Sequence, residues 1–373
     1  MGGRGIAFED MLAFLKEAER YIDAVQISYG IDINKRANVH TVTTNLEEEM
    51  PNLAFAREAK EVLHIPVGVV GAVITPENAE HILEIGSADL VALGRELIAD
   101  PDWTKKAEAG HPEDIRPCLR CSNCYHIASD HWNVGCSVNP RFHNEAFVPA
   151  KIQEVDTVQK VVVVGAGPYG LNAAIAAAEW GHEVTLIEKS SELGGMLCTI
   201  SKEAHKEGIS RLLQHLVHRV EELPIKVMLD TEATPELISG LGATALCLAM
   251  GAKERRIGIA GANPSSVFTT GEAILAPERL GHRVTVIGGG SAGCEIALEL
   301  AEAGHEVSLI EMTDSLAGNA NSLYQEALRQ KFELFQDRIQ AHLDASCQRT
   351  EDGALIVKRK DGREAPCPMT RLS

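Results

Sequence analysis

Cys118, Cys121, Cys124 and Cys136 stand close together in a chain whose other five cysteines, Cys198, Cys247, Cys294, Cys347 and Cys367, are scattered. Two residues separate the first from the second and the second from the third; eleven separate the third from the fourth. A tight Cys-x-x-Cys-x-x-Cys loop can supply three thiolate corners of an iron–sulfur cube, with a later cysteine as the fourth. The last gap differs from that of the bacterial ferredoxin run, so the segment is not a ferredoxin module. Zinc is the alternative. Its sites more often pair two Cys-x-x-Cys knuckles or add histidines, and His126, His131 and His143 are nearby. The spacing favours a [4Fe–4S] cluster on the four cysteines over zinc. Disulfides are not expected in a chain without an export signal.

Two glycine-rich loops form the second constellation. Val161-Val162-Val163-Val164 reads as a buried strand, Gly165-Ala166-Gly167-Pro168-Tyr169-Gly170 as the turn after it, and Leu171–Trp180 as an alanine-rich helix. Gly165 suits the tight turn, Gly167 lets backbone approach a pyrophosphate, and Gly170 lets the helix pack on the strand. The helix N-terminus then offers N–H groups and a positive dipole end to phosphate. Glu188 ends the next strand, where a carboxylate accepts hydrogen bonds from ribose hydroxyls, and Lys189 follows it into the same site. Every part recurs downstream. Val284-Thr285-Val286-Ile287 precedes Gly288-Gly289-Gly290-Ser291-Ala292-Gly293, and Glu311 ends the next strand. Gly181–Glu188 repeats as Gly304–Glu311, so the chain holds two copies of one βαβ unit.

After Glu188 comes Leu193-Gly194-Gly195, a glycine pair that lets backbone approach a second face of a large dinucleotide. Ala249-Met250-Gly251 precedes the second copy. Here the chain resembles the two-dinucleotide-domain flavoprotein reductases, in which the first unit holds FAD and the inserted second unit a nicotinamide cofactor. That resemblance assigns FAD to Gly165, Ala166, Gly167, Pro168, Gly170, Glu188, Lys189, Gly194 and Gly195. It assigns NADH or NADPH to Gly288, Gly290, Gly293 and Glu311. The family usually has Ala-Thr-Gly where this chain has Ala249-Met250-Gly251, which removes one hydroxyl. A carboxylate at Glu311 repels a 2′-phosphate and so favours NADH.

The elements that must carry these groups read as α/β throughout. Phe8, Met11, Leu12, Leu15 and Ile22 recur at helical spacing, and Val25–Ser28 reads as a strand. A helix is expected near Leu53–Leu63, a strand over Pro66–Val70 ending at Gly71, and a helix starting at Thr75-Pro76 and stopping at Gly86. A strand over Leu90–Leu93 ends at Gly94-Arg95, and Asp100-Pro101 opens a short helix. These short buried strands, with glycines at their carboxyl ends, suggest part of a (β/α) barrel, although three strands cannot close one. The cysteine segment follows, then a polar connector over Ala150–Gln159. Thr244–Gly251 reads as a buried strand between the two repeats. Leu355–Lys360 and Arg363–Pro366 flank Asp361-Gly362 as a hairpin. The expected segments are 1–115 for the partial barrel, 116–150 for the cysteines, 151–278 for the FAD domain and 279–373 for an incomplete NAD(P)H domain.

Composition narrows the partners. The formal net charge of −18 repels polyanions, so neither nucleic acid nor an anionic membrane is expected as a partner. The N-terminus has no apolar signal-peptide core, and Ile6 stands where a myristoylation signal wants Ser or Thr. The uncharged stretch Val161–Ala178 is nearly long enough to span a membrane, but its three glycines and proline fit the nucleotide loop instead. Cytoplasm is therefore the expected compartment. The chain could associate with itself.

Arg116-Pro117-Cys118-Leu119-Arg120-Cys121-Ser122-Asn123-Cys124, with Cys136-Ser137-Val138-Asn139-Pro140-Arg141, resembles the iron–sulfur branch of the old yellow enzyme superfamily. That branch holds 2,4-dienoyl-CoA reductase, enoate reductases, trimethylamine dehydrogenase and bile-acid dehydroxylation reductases. Ile65-Pro66-Val67 with Gly71, and Ala88-Asp89-Leu90-Val91 with Gly94-Arg95 and Ala99-Asp100-Pro101, match its last two barrel strands. The resemblance implies that Gly71, Gly94 and Arg95 hold the FMN phosphate. It also implies a relay from NADH through FAD and the [4Fe–4S] cluster to FMN, and then to an activated alkene such as an enoate or enoyl-CoA. In the amine dehydrogenase branch the flow is reversed. By the same resemblance the chain begins just before the sixth barrel strand and stops before the return to the FAD domain. An internal fragment is thus expected, and with it the rival reading of a non-catalytic electron-transfer module. Tyr29 and His40 fall near the mouth of such a barrel, where a loop role is expected ahead of contact with substrate.

Overall fold

The computed structural model describes residues 6–31, 34–129, 133–150 and 155–368. Residues 1–5, His131, residues 151–154 of the polar connector and the last five residues lie outside them. The chain divides into two compact units, Met1–Val148 and Pro149–Ser373.

In the first unit, β1 (Val25–Ile27), β2 (Val67–Val70) and β3 (Leu90–Ala92) form a parallel sheet in that order. The connecting helices include Leu53–Val62 and Pro76–Glu84, and the second starts and stops on local chemistry. Thr75 caps the second by accepting a hydrogen bond from Asn78 N at 3.2 Å, with Pro76 in the first turn. Gly86 follows with φ +66°, a left-handed conformation that glycine adopts without strain. Leu15, Ile27, Ala56, Val67, Val69 and Ile82 form the core between sheet and helices.

Two details of the sequence reading are corrected here. The first helix spans Phe8–Ala18, so Ile22 lies beyond its end and is partly exposed. Leu90, expected in a buried strand, is 56% exposed. β3 is an edge strand, and Leu90 is registered beside Gly68, which has no side chain to cover it.

The second unit contains the repeat. β4 (Lys160–Val164), β5 (Glu183–Ile187), β6 (Ile225–Met228) and β7 (Ala245–Leu248) form a parallel sheet in the order β6-β5-β4-β7. Helix Pro168–Glu179 packs Leu171, Ala174, Ile175 and Ala178 on Val163, Val184 and Leu186. Its five alanines (Ala173, Ala174, Ala176, Ala177, Ala178) let helix and sheet approach closely. β7 was expected to be buried, yet Leu246 is 48% and Leu248 58% exposed. The reason is position. β7 is the outer strand: Cys247 turns to the core, while packing on the opposite face by Leu237, Ile238 and Leu241 meets Val162, Val164 and Ile187 of β4 and β5.

β8 (Arg283–Ile287), β9 (Glu306–Ile310) and β10 (Ile339–His342) form the second copy's parallel sheet, ordered β10-β9-β8, under helix Ser291–Glu302. β11 (Ala345–Glu351), β12 (Ala354–Arg359) and β13 (Glu364–Pro368) make an antiparallel sheet. The expected hairpin at Asp361-Gly362 joins β12 to β13, with Gly362 at φ +83°.

An acid-rich contact ties the two nucleotide lobes of this unit. Lys206 Nζ pairs with Glu295 Oε1 at 2.8 Å and His205 Nε2 with Glu302 Oε2 at 2.9 Å. Tyr324 donates to Glu295, while Glu203 and Glu299 complete the cluster. Burial, opposed by Lys206 and helped by Glu295 and Glu299, raises the Glu203 carboxyl to about 7. The folded state therefore keeps a proton that the unfolded chain has lost above its ordinary value of 4.5. Stability from this group is full below that value and falls as pH rises towards about 7. Thermal melts should show a lower midpoint at pH ~7.5 than at pH ~5.5, and Glu203→Gln should flatten that difference. An identical slope in the variant would remove Glu203 from the account.

Candidate functional site

The first glycine loop is built by contacts that exclude side chains. Gly165 has φ +97°, and a Cβ there would lie 2.4 Å from Ala249 O. A Cβ on Gly170 would lie 1.8 Å from Gly165 O, so helix and loop touch through bare backbone. Gly167 is different: a Cβ there meets nothing within 4 Å. It is the N-cap of Pro168–Glu179, and no side chain caps that helix end. The open space at a helix N-terminus suits a phosphate group. The Gly194-Gly195 turn lies against the same loop. Gly194 N donates to Ala166 O at 2.8 Å, and a Cβ on Gly195 would stand 3.0 Å from Gly167 Cα.

Glu188 is buried beneath this loop. Its Oε2 accepts from Ala166 N at 2.7 Å and its Oε1 from Ser190 N at 2.9 Å. Burial works to raise its pKa, but these backbone donors outweigh it and hold the carboxyl below its usual value. Glu188 thus braces the glycine loop in addition to the ribose role expected of it. Lys189 is exposed beside it.

The second loop repeats the construction. Gly288 has φ +106°, and a Cβ on Gly293 would lie 1.8 Å from Gly288 O. Glu311 Oε2 accepts from Gly289 N at 2.6 Å, and Oε1 from Thr313 N at 2.7 Å. Again burial is outweighed by backbone donors and the carboxyl is lowered. One difference was invisible in the motif. Asn319 Oδ1 accepts from both Ser291 N and Ser291 Oγ at 3.0 Å, at the helix end next to Gly290. No spacing rule pairs residues 28 apart, so only the fold identifies Asn319.

In the first unit, Gly71 and Gly94 follow the carboxyl ends of neighbouring strands β2 and β3. Gly71 has φ +119°, and a Cβ would come within 2.8 Å of Asn52 Nδ2, itself donating to Val70 O at 2.6 Å. Gly94 N donates to Glu96 Oε2 at 3.0 Å. Arg95 turns towards the cysteines: its Nη1 donates to Ser122 Oγ at 3.1 Å.

Cys118, Cys121, Cys124 and Cys136 line one small cavity together with Arg95 and apolar Ile98, Leu119 and Val138. All four are free thiols. Arg120 and Ser122, the residues flanking Cys121, have φ +52° and +55°, which turns the chain so that successive cysteines face the same side. The side chain of Arg120 anchors this turn by donating to Thr44 O at 2.6 Å and to Glu47 O. Asn139 Nδ2, donating to Ile98 O at 2.8 Å, holds the Cys136 end. Burial pushes the Cys118 thiol up to about 12 against the pull of Arg95, although part of the residue still meets solvent. Burial raises Cys124 in the same way. Among the described residues, no three His, Cys, Asp or Glu side chains converge closely enough to hold a single metal ion. His126 and His143 do not line the cavity.

Tyr29 packs at a tilt against His40 and Phe55, with ring centroids 5.3 and 5.7 Å away. His40 Nδ1 meets Glu47 Oε1 at 2.9 Å.

The pattern of the pyridine nucleotide-disulphide oxidoreductases matches residues 159–372, and that of the NADH:flavin oxidoreductase / NADH oxidase family matches residues 4–114. The chain belongs to the old yellow enzyme-like FMN/FAD oxidoreductases. Use of flavin and of a nicotinamide dinucleotide comes with both families. The chain is 34% identical over 346 residues to a bilirubin reductase of Mediterraneibacter gnavus, covering 90% of this chain and 52% of that protein. It is 35% identical over 318 residues to an NADH oxidase of Thermoanaerobacter brockii, covering 80% of this chain and 49% of that one. A solved 2-naphthoyl-CoA reductase complex superimposes with a TM-score of 0.89 at 26% identity, over 98% of this chain and 55% of that one. The chain thus spans about half the length of the curated relatives it matches. The neighbours are TIM-barrel and Rossmann flavoenzymes, which accounts for the parallel (β/α) units of both halves. No helix among the described residues is long and apolar enough to cross a membrane.

Proposed function

We propose that this chain is the electron-input and relay part of an NAD(P)H-dependent flavin and iron–sulfur reductase. Its four segments are taken as 1–115 for FMN, 116–150 for the cluster, 151–278 for FAD and 279–373 for NAD(P)H. The observation that carries the reading is the presence, in one chain, of two complete dinucleotide loops and four thiols around one cavity. The bound cofactors would supply the redox chemistry, passing electrons from NADH through FAD, a [4Fe–4S] cluster and FMN to an activated alkene or acyl-CoA.

The residues present fit those groups. Gly167 leaves open space at a helix N-terminus, and Gly194-Gly195 brings backbone to the same loop, as a pyrophosphate requires. Glu188 and Glu311, whose carboxyls backbone donors hold below their usual pKa, are the residues proposed to meet the ribose hydroxyls of the two dinucleotides. Fixed negative charge at Glu311 favours NADH over NADPH. The four thiols line one cavity with apolar Ile98, Leu119 and Val138, a donor set that suits an iron–sulfur cluster. Gly71 and Gly94 are the residues proposed to meet the FMN phosphate.

The test is composition. Anaerobically purified protein should carry about four irons and about four acid-labile sulfides per chain. FAD should be released on denaturation, and NADH should bleach the flavin absorbance. Stoichiometric zinc without sulfide would remove the cluster from the proposal. A colourless protein that does not take up FAD would remove the rest.

A further inference from the structure

Arg95 has two competing claims on it. Its place after Gly94 assigns it to a phosphate loop, whereas its side chain runs to the cysteine cavity. There Nη1 donates to Ser122 Oγ at 3.1 Å, and Ser122 is 1% exposed between Cys121 and Cys124. The Ser122 hydroxyl in turn donates to Val42 O at 3.4 Å, which fixes its lone pairs towards the guanidinium. Arg95 lines the same cavity as all four cysteines. The adjacent carboxylate, Glu96, accepts instead from Gly94 N at 3.0 Å.

We propose that Arg95 is the charge partner of the four-cysteine site, a positioning residue that sets the reduction potential of the cluster held there. The proposal rests on the iron–sulfur reading above. Four thiolates around a [4Fe–4S] core carry net negative charge, and each electron accepted adds another. A guanidinium stays charged at every working pH. In a poorly solvated cavity its attraction is stronger for the reduced, more negative state, so it raises the potential. An arginine that faces phosphate on one loop and sulfur on the next would also join two cofactor sites through one side chain.

The experiment is an EPR-monitored redox titration of the anaerobically purified chain and of its R95Q and R95K variants, with dithionite as the reductant. Iron, sulfide and FMN affinity are measured in parallel. In R95Q the reduced-to-oxidised ratio at the wild-type midpoint should fall at least tenfold, a drop of about 59 mV for one electron. R95K, which keeps the charge, should recover most of that shift. Cluster loss in R95Q with retention in R95K would also support the charge role. A normal cluster with an unmoved potential in R95Q, with or without weaker FMN binding, overturns the proposal and leaves Arg95 to the phosphate. Cluster loss in both variants overturns it too, because charge is then not what matters. Wild-type protein with zinc and no sulfide defeats the underlying reading, a result separate from these.

Discussion

Gly167→Trp should leave the protein unable to retain FAD, while Gly290→Trp should retain it. The reason lies in what each glycine faces. Gly167 borders open space at the N-terminus of helix Pro168–Glu179, with Gly195 closing one side. A Cβ there meets nothing within 4 Å, so an indole can enter the volume that a pyrophosphate needs. A loss of at least a hundredfold in affinity, about 2.7 kcal/mol, is expected. Gly290 lies in the other repeat, next to Asn319, and an indole there obstructs only the nicotinamide loop. The measurement is flavin per chain after gel filtration, with circular dichroism confirming the fold. Gly170→Ala supplies the contrast: its Cβ would lie 1.8 Å from Gly165 O, so the loop itself must deform and stability should fall along with FAD. Equal FAD loss in the two Trp variants, both folded, would count against assigning FAD to the first repeat.

Cys118→Ser should abolish iron and sulfide binding, from about four of each to almost none, while FAD content is unchanged. Cys118 lines the cavity beside Arg95, and a hydroxyl there is a poor replacement for a thiolate corner. The proposed FAD site is built from residues 165–195 of the second unit, whereas Cys118 belongs to the first. Cys198→Ser is the matched control. Cys198 donates to Leu193 O at 3.2 Å beside the Gly194-Gly195 turn and does not line the cysteine cavity, so iron and sulfide should stay at the wild-type level. Metal analysis with sulfide determination reads both variants. Retention of a full cluster in Cys118→Ser would show that the ligand set is not the one proposed.

Much of this could be read before any coordinates. The two glycine loops, their following helices and the acids that end the next strands are local patterns, written within stretches short enough for spacing to encode them. The same holds for the Cys-x-x-Cys-x-x-Cys loop, for the Thr75-Pro76 helix start and for the Asp361-Gly362 hairpin. Burial was read less well. Apolar runs at Leu90–Leu93 and Thr244–Gly251 promise buried strands, but hydrophobicity does not say whether a strand lies at a sheet edge or what covers its second face. Leu90, Leu246 and Leu248 are exposed for that reason.

The sequence by itself determined which residues are glycine, acid and thiol, and in which βαβ units they fall. The tertiary structure alone decided how those residues are aimed. Cys136 joins the other three at one cavity because Asn139 is fastened to Ile98, 41 positions away. Glu188 and Glu311 brace their own glycine loops because parallel pairing of β4 with β5, and of β8 with β9, brings residues 22 apart into contact. Arg95 reaches Ser122 across 27 residues, a contact that no motif records. Local spacing fixes backbone conformation through short-range sterics and hydrogen bonds. Side-chain direction across such separations depends on packing of the whole unit, which is where an arginine expected at a phosphate loop becomes a neighbour of four cysteines.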